Sequence, residues 1–582
     1  MKESAAWLFV IGVCVLAAAR ATAGEVLYNG IVLPDVWPPK YDRPPNEPMP
    51  VPYLASPPAV IPIDVGRQLF VDDFLVQETT LKRSFHRVEY CKENPIVRPD
   101  QPWENKGRGL FAAPFSGGAW FDPQDKLFKM WYCGGYLATV CYATSSDGIR
   151  WEKPKLDFQT GTNVLFVPGL DPAKPRHDTT LVWLDADAKD PKERFKYFAT
   201  ESGKGWELVM RVSADGLRWS DPVAAQRIGG DRTTVFYNPF RKVWVISERI
   251  NWGGRARAYT EDPDPRAAVA KLPKARVNWV SGEKEDPRNP NKQWSGLAPQ
   301  LYNLDATPYE SLMLGLFVIW QGPNNGDCGR LSIQKRNEVL LGYSRDGFHW
   351  SRPDRTRFLE VNETEGAWNM GNVQSVGGGC LVVGDRLFFY FSGRAKPKGQ
   401  WDADAATGLA FLRRDGFASM DADDKGGTLT TRPVTFKGKH LFVNLACPKG
   451  ELRVEVLAED GKPIAPFAAD NCIVGGASLP VSGASVPVGG ASVPRVLSSS
   501  SRGTEPPPTT KPLDSTCLPI RWQGAEDLSA LSGKPVRFRF HLKTGALYAF
   551  WVSPDPSGAS HGYTAAGGPG LPGPIDTTGG AR

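Results

Sequence analysis

The chain has 582 residues, 41% of them hydrophobic and 23% charged, which fits a globular protein of two to four domains. Lys+Arg 69 are interleaved with Asp+Glu 63 and form no basic run, so nothing points to nucleic acid. Glycine (60) and proline (51) stop short of a disordered composition but demand many turns, and 19 Trp, 28 Phe and 16 Tyr against 7 Met suit short strands; collagen, coiled coil, multi-span membrane protein and disordered scaffold are excluded.

At the start, Lys2, the apolar run from Ala5 to Ala19 and Ala21-Thr22-Ala23 read as a signal peptide over 1–23, and hence as a secreted or periplasmic protein. The run is shorter than the roughly 20 residues of a membrane span, so no span is expected. Without Cys14, eight cysteines remain, with no C-x-x-C pair for zinc. Cys133 and Cys141 flank a hairpin and stand either as a disulfide or as small buried hydrophobes. A Pro-rich arm covers 24–63.

A repeat follows. YATSSDGIRW at 142–151 returns as RVSADGLRW at 211–219, YSRDGFHW at 343–350 and LRRDGF at 412–417, with a degenerate AYTED at 258–262. The spacing is roughly 66 residues with one displaced member, the size of a propeller blade. Each copy follows two aromatic strands, for example DTTLVWLD (178–185) then RFKYFATE (194–201), and DRTTVFYNP (231–239) then KVWVISE (242–248). Asp-Gly supplies a turn with positive φ, and the Trp after it is expected to fill the seam between blades. The fold class expected is therefore all-β: a five-bladed β-propeller over 64–424, then a small C-terminal β-sandwich over 425–553. The sandwich rests on the alternation of LFVNL (441–445), ELRVEVL (451–457) and VRFRFHL (536–542). Gly-Ala-Ser repeats make 474–514 a low-complexity insert, and 554–582 reads as a disordered tail.

In a meander blade, the start of the innermost strand and the end of the second strand share one face of the disc. Aligning the second and third units by their turns puts Asp178 opposite Asp231 at the channel mouth, and Glu201 opposite Glu248. His177, Arg232, Arg249 and Arg394 join them, and Trp320 and Trp368 suit stacking on sugar rings. Carboxylates with interspersed Arg at one funnel are what glycoside hydrolysis needs. Asp178 and Asp231 are the expected funnel carboxylates, Glu248 the general acid with Glu201 as alternative, and Arg232 and Arg249 tuning or binding groups. The same acids also read as inter-blade locks. Of Asp72-Asp73, at most one side chain reaches the funnel, and Asp122 reads as a turn residue.

The five-unit pattern, the YATSSDGIRW-type repeat and the blade-initial acids resemble the five-bladed propeller glycosidases of glycoside hydrolase families 32 and 43. The resemblance covers roughly 64–424 and implies a nucleophile or base on blade one, a second Asp on blade two, matched by Asp178, and a Glu acid on blade three. No N-D-P-N-G motif occurs on blade one, where Phe115 holds its register; no R-D-P surrounds Asp178, and no E-C occurs on blade three. Glu104 is then a candidate for the missing acid. The function expected is an exported glycoside hydrolase acting on a poly- or oligosaccharide. A non-catalytic glycan-binding propeller is the alternative, and a sialidase-like enzyme a further one. No cofactor is expected; a structural calcium would fit such a channel, but no motif requires one.

Overall fold

The structure is a computed structural model; residues 24–106, 109–169, 177–202, 205–395, 404–475 and 513–579 are described. The signal segment and nearly all of the Gly-Ala-Ser insert lie outside them. The fold is all-β, built from many antiparallel sheets.

Five meander sheets follow one another along the chain. The first holds Ala112–Ala113 and Ala119–Asp122 as one interrupted inner strand, then Leu127–Gly134 and Thr139–Ser145. The second is His177–Leu184, Phe195–Ser202, Trp206–Ser213 and Ala224–Ile228; the third is Thr234–Asn238, Val243–Asn251, Arg255–Asp262 and Val277–Ser281. The fourth holds Gln300–Glu310, Leu312–Trp320 and Asn337–Ser344, and the fifth an interrupted inner strand (Asn372–Gln374 and Leu381–Val383), Arg386–Arg394 and Ala405–Arg413. Each sheet packs on the next, and the fifth packs back on the first. The fifth sheet takes its outer strand, Glu89–Tyr90, from the segment ahead of the first, so chain order alone does not complete it.

The Asp-Gly turns show why the repeat exists. Asp147 Oδ1 accepts the backbone N–H of Ile149 and Arg150 at 2.8 Å each, and Ser145 Oγ accepts that of Gly148 at 2.8 Å. Ser213/Asp215 and Ser344/Asp346 repeat this pattern. Gly148, Gly216 and Gly347 carry φ of 75°, 76° and 81°, where a side chain would be strained. The turns also key the seams. Trp131 Nε1 donates to Gly216 O at 2.7 Å, Trp279 Nε1 to Phe348 O at 2.8 Å, and Tyr390 Oη to Gly148 O at 2.6 Å. Of the Trp residues after the turns, Trp151 lies 5.5 Å from Tyr390 of the fifth sheet and Trp350 6.3 Å from Trp279 of the third, filling seams as expected; Trp219 instead packs on Tyr197 of its own sheet, 5.2 Å between centroids. The long interval after the displaced repeat member holds a short helix, Pro265–Ala270, capped by Asp264. Asp415 departs from the pattern: its carboxylate goes to Arg67 and Tyr309.

Two further sheets enclose a second core rich in Phe70, Phe538, Phe540 and Phe550. One runs Cys472–Val474, Leu513–Trp522, His440–Cys447, Gly545–Ser553, Ala418–Ala422, Lys82–Phe85; the other runs Glu451–Leu457, Arg537–Lys543, Gly427–Thr431, Val76–Thr79. Arg537–Lys543 alternates as expected, with Phe538, Phe540 and Leu542 buried. The expected boundary at 64 is corrected: Gln68–Leu69, Val76–Thr79 and Lys82–Phe85 belong to this second body, because their free edges pair with its strands. Neither member of Asp72-Asp73 reaches the funnel, since Asp72 pairs with buried Arg345 and Asp73 with Arg83. The expected disordered tail is also corrected: Tyr563–Thr564 pairs with Tyr309 and Glu310, and Ala559, Thr564 and Asp576 are fully buried. Its glycines allow this, since a Cβ at Gly568 would collide with the Val382 carbonyl. All eight described cysteines are free thiols, so Cys133 and Cys141 are not bridged. Among the described residues no helix is long and apolar enough to cross a membrane.

Asp122 is not a simple turn residue. It is fully buried and bridges Lys129 of its own sheet and Arg194 of the next. Burial pushes its pKa up, but the two cations outweigh it and hold it at about 2. A depressed folded pKa stabilises above the unfolded value and is lost as pH falls through the folded one. Acid titration of thermal stability should therefore show a loss on the order of 2 kcal/mol as pH falls from the usual aspartate value towards 2, and Asp122→Asn should lack that step.

Candidate functional site

The starts of the inner strands and the ends of the second strands bring residues from all five sheets together. The first sheet presents Phe111 and Phe115, the second Asp178, and the third Asp231 and Arg232 ahead of Thr234–Asn238. The fourth presents Tyr302, with Lys335 from the loop after Leu312–Trp320, and the fifth presents Arg394. Arg232 Nε lies 2.8 Å from Asp178 Oδ1, and the Arg232 guanidinium sits 3.9 Å over the Phe115 ring. Phe115 and Arg232 both hold positive φ, 50° and 56°. Left-handed backbone at two bulky residues stacked on each other is strain of the kind that collects at functional sites. Arg394 caps the other side of the first sheet's aromatics, 4.8 Å over Tyr136 and 5.5 Å over Phe115. Tyr302 has Lys335 Nζ at 4.8 Å, Arg255 at 5.8 Å and Arg232 at 5.9 Å over its ring.

The two carboxylates differ. The Asp178 side chain is 8% exposed, that of Asp231 37%. Burial, with the nearby charge of Asp231 adding to it, holds the Asp178 pKa above the ordinary aspartate value although Arg232 opposes this. Asp231 lies 3.8 Å from Arg249 Nε. Burial disfavours the Tyr302 phenolate, yet the charges of Lys335 and Arg232 outweigh it and hold the phenol below its usual value of 10.0. Arg257, fully buried beneath the cluster, is pushed down to about 9 by burial and then by the charge of Arg249.

Several expected residues stand elsewhere. Glu248, expected as general acid, has a fully enclosed side chain; burial raises its pKa although Gly229 N–H and Arg276 oppose this, and Oε1 accepts Gly229 N–H at 2.7 Å and pairs with Arg276 at 2.6 Å. It anchors the Gly229-Gly230 link that leads to Asp231 and Arg232, a positioning task. Glu201 is neutralised by buried Arg211 at 2.7 Å. Glu104 is corrected as a spare acid: it is buried under a capping box, accepting from Tyr132 Oη at 2.7 Å and from the Asp100 and Gln101 amides, and pairing with Lys153. Trp320 is buried, with Arg255 5.0 Å over its ring, so it offers sugars no open face. Trp368 is half-buried against Phe391. His177 pairs through its backbone with Glu201. Tyr302, Lys335 and Phe115 complete the cluster; Tyr302 holds the blade-initial position of QLYN (300–303), so the alignment that singled out Asp178 and Asp231 reaches it too.

A cleft of about 510 Å³ opens on the same side. It is lined by Asn289, Trp294, Gln334, Arg336, Glu363 and Met370, and Gln334 and Arg336 flank Lys335 in the chain. This volume lies in the range of small-ligand sites. Among the described residues no group of three or more His, Cys, Asp or Glu is placed to hold a metal ion.

No family model matches the chain, and no curated protein matches it. Solved structures do. One is a glycoside hydrolase of the GH130 family of mannoside phosphorylases that targets β-1,2 mannosidic linkages in Candida mannan: 13% identity, TM-score 0.37, covering 58% of this chain and 97% of that one. A fructofuranosidase from Schwanniomyces occidentalis shows 11% identity and a TM-score of 0.33 over 80% of this chain and 98% of its own. A thermostable family-43 glycoside hydrolase shows 11% identity and a TM-score of 0.34 over 55% and 96%. At such identities the roles of individual residues rest on the geometry above.

The Tyr302 environment is directly measurable. Ultraviolet-difference titration should show one tyrosine ionising below the usual value, the step should vanish in Tyr302→Phe, and Lys335→Met should move it upward.

Proposed function

We propose that the five meander sheets are the blades of one propeller, that the two remaining sheets form a sandwich packed against it, and that the protein is a glycoside hydrolase working at the mouth where the inner strands begin. The observation that carries this reading is the unequal pair Asp178 and Asp231: two carboxyl groups of neighbouring sheets that feel each other's charge, one buried with its pKa raised, the other half-exposed. Environments that split two carboxyl groups in this way assign acid and base.

In this reading Asp178, whose pKa burial raises, gives its proton to the glycosidic oxygen as the bond to the anomeric carbon breaks. Asp231 either takes a proton from the attacking water or attacks the anomeric carbon itself, and the separation of the two carboxyl groups around a bound sugar decides between inversion and retention. Arg232 holds Asp178 in place, and Glu248 holds the link that carries Asp231. Phe111, Phe115 and Tyr136 form an apolar wall. One observation favours a non-catalytic glycan-binding protein instead: the first sheet brings Phe115, not a carboxylate, to the mouth.

Asp178→Asn should lose about 10²–10⁴-fold in kcat on an oligosaccharide, and much less on an aryl glycoside whose leaving group needs no proton. Asp231→Asn should lose a similar factor on both substrates. Equal losses for Asp178→Asn on both substrates would remove it as the acid, and wild-type binding without turnover would select the glycan-binding reading.

A further inference from the structure

The mouth is unbalanced in charge. Five cations meet there, Arg232, Arg249, Arg255, Lys335 and Arg394, against the two carboxyl groups of Asp178 and Asp231. Other buried cations among the described residues face acids: Arg345 faces Asp72 at 2.8 Å, Arg352 faces Asp286, and Arg211 faces Glu201 at 2.7 Å. Here aromatic rings take that place. Arg232 and Arg394 rest on Phe115, and Lys335, Arg255 and Arg232 surround Tyr302.

A ring face stabilises a cation through its quadrupole but accepts none of its N–H bonds in the way a carboxylate does. The donors therefore remain unspent. Arg232, fully buried, has Nη1 and Nη2 without a hydrogen-bond partner among the described residues, and so has Nε of Arg394. Neither Lys335 nor Arg394 meets a carboxylate among the described residues, and Lys335 Nζ reaches only the Asn325 amide, at 3.3 Å. Buried donors without acceptors are costly unless something fills them. The depressed Tyr302, whose phenol Lys335 and Arg232 pull down against burial, is what a surplus of positive charge produces. An anion with several oxygens spends such donors best, and Arg forks suit carboxylate and sulfate oxygens.

We infer that the saccharide taken at this site is anionic, with a carboxylate or sulfate-ester group seated among Arg232, Lys335 and Arg394 beside Tyr302. This rests on the glycan-active reading above and adds the substrate class to it. The half-exposed Lys335 is the gate of this subsite and leads to the cleft lined by Gln334 and Arg336, where further sugar units would lie.

The test uses the full chain carrying Asp231→Asn, a half-exposed position, on a glycan array with matched pairs: uronate oligosaccharides beside their methyl esters, and sulfated galactan oligosaccharides beside their desulfated forms. At least one charged member should bind about tenfold or more tightly than its neutral twin. Adding Lys335→Gln should narrow that gap by about threefold or more, and so should added salt. Preference within the uronate pairs identifies a carboxylate as the group bound; preference within the sulfated pairs identifies a sulfate ester. Binding confined to neutral members, no binding to any charged member, or equal binding within each pair overturns the inference. A gap that Lys335→Gln leaves unchanged also overturns it. Wild-type turnover separates the two readings. Charged glycans bound but never cleaved would sink the hydrolase assignment alone, and cleavage of neutral glycans with no charged one bound would sink the anion site alone.

Discussion

Two arginines and three carboxyl groups, all buried, tie the molecule together. Arg67 lies 2.8 Å from Asp415 and 3.4 Å from Glu310; Arg414 lies 3.1 Å from Glu310 and 2.8 Å from Asp576. The five side chains are almost fully excluded from solvent and come from four remote stretches of chain. Ser560, Asn444 and Tyr309 supply further hydrogen bonds, and Arg67 stacks 4.1 Å over Trp551. Taking such charges out of water is expensive, so the cluster is stable only while all members are present; losing one partner typically costs about 3–5 kcal/mol. With one acid in excess, burial raises the Glu310 pKa, while Arg67 and Arg414, working against burial, lower that of Asp415. The result is less a source of stability than a lock on geometry: the strands before residue 86, the fourth and fifth sheets and the tail can meet in only one arrangement.

This lock lies at the opposite end of the strand that serves the candidate site. Gln300–Glu310 begins beside Tyr302 at the mouth and ends in Glu310 within the network. All but Gln300 of its eleven residues are buried, and it is paired along most of its length with Leu312–Trp320. One rigid element thus carries a functional ring at one end and an obligatory ionic contact at the other. The interrupted inner strands of the first and fifth sheets add to this rigidity. Gly118 and Gly377 approach so closely, backbone to backbone, that neither tolerates a Cβ. Asp305 pins the same region by accepting from Asn303 at 3.0 Å and from the Val376 amide at 2.9 Å. A site that keeps Phe115 and Arg232 in left-handed backbone needs a surround this stiff, because their strain would otherwise relax.

Legibility in the sequence divides along the same physical line. Whatever is local was readable. The Asp-Gly turns repeat because each closes its own hydrogen-bonded loop, and Arg537–Lys543 alternates because one face is wet. Turn spacing puts Asp178 near Asp231, since a meander converts spacing into position. Whatever depends on remote chain was not readable. Nothing near Glu89–Tyr90 says that it completes the fifth sheet, and nothing in the Gly-rich tail says that Asp576 will find Arg414. Glu104 and Glu248 look like free acids in the sequence; only the fold brings Lys153, Tyr132 and Arg276 to them. In the sequence Phe115 stands out only as a departure from a motif, although its ring is the platform on which Arg232 rests.

The treatment of cations is where stability and function part company. At the Arg67–Arg414 network and at Asp122, carboxylates face the cations and offset their charge. At the mouth, aromatic rings hold the cations instead. A ring fixes where a guanidinium or ammonium stands while leaving most of its hydrogen-bonding capacity, and its charge, available. Asp178 pairs with Arg232 and Asp231 more loosely with Arg249, and burial has already moved Asp178 away from ordinary carboxylate behaviour. An arrangement that stabilises cations without neutralising them is poor engineering for a structural seam. It is the arrangement a site needs when the missing negative charge is to arrive on the ligand.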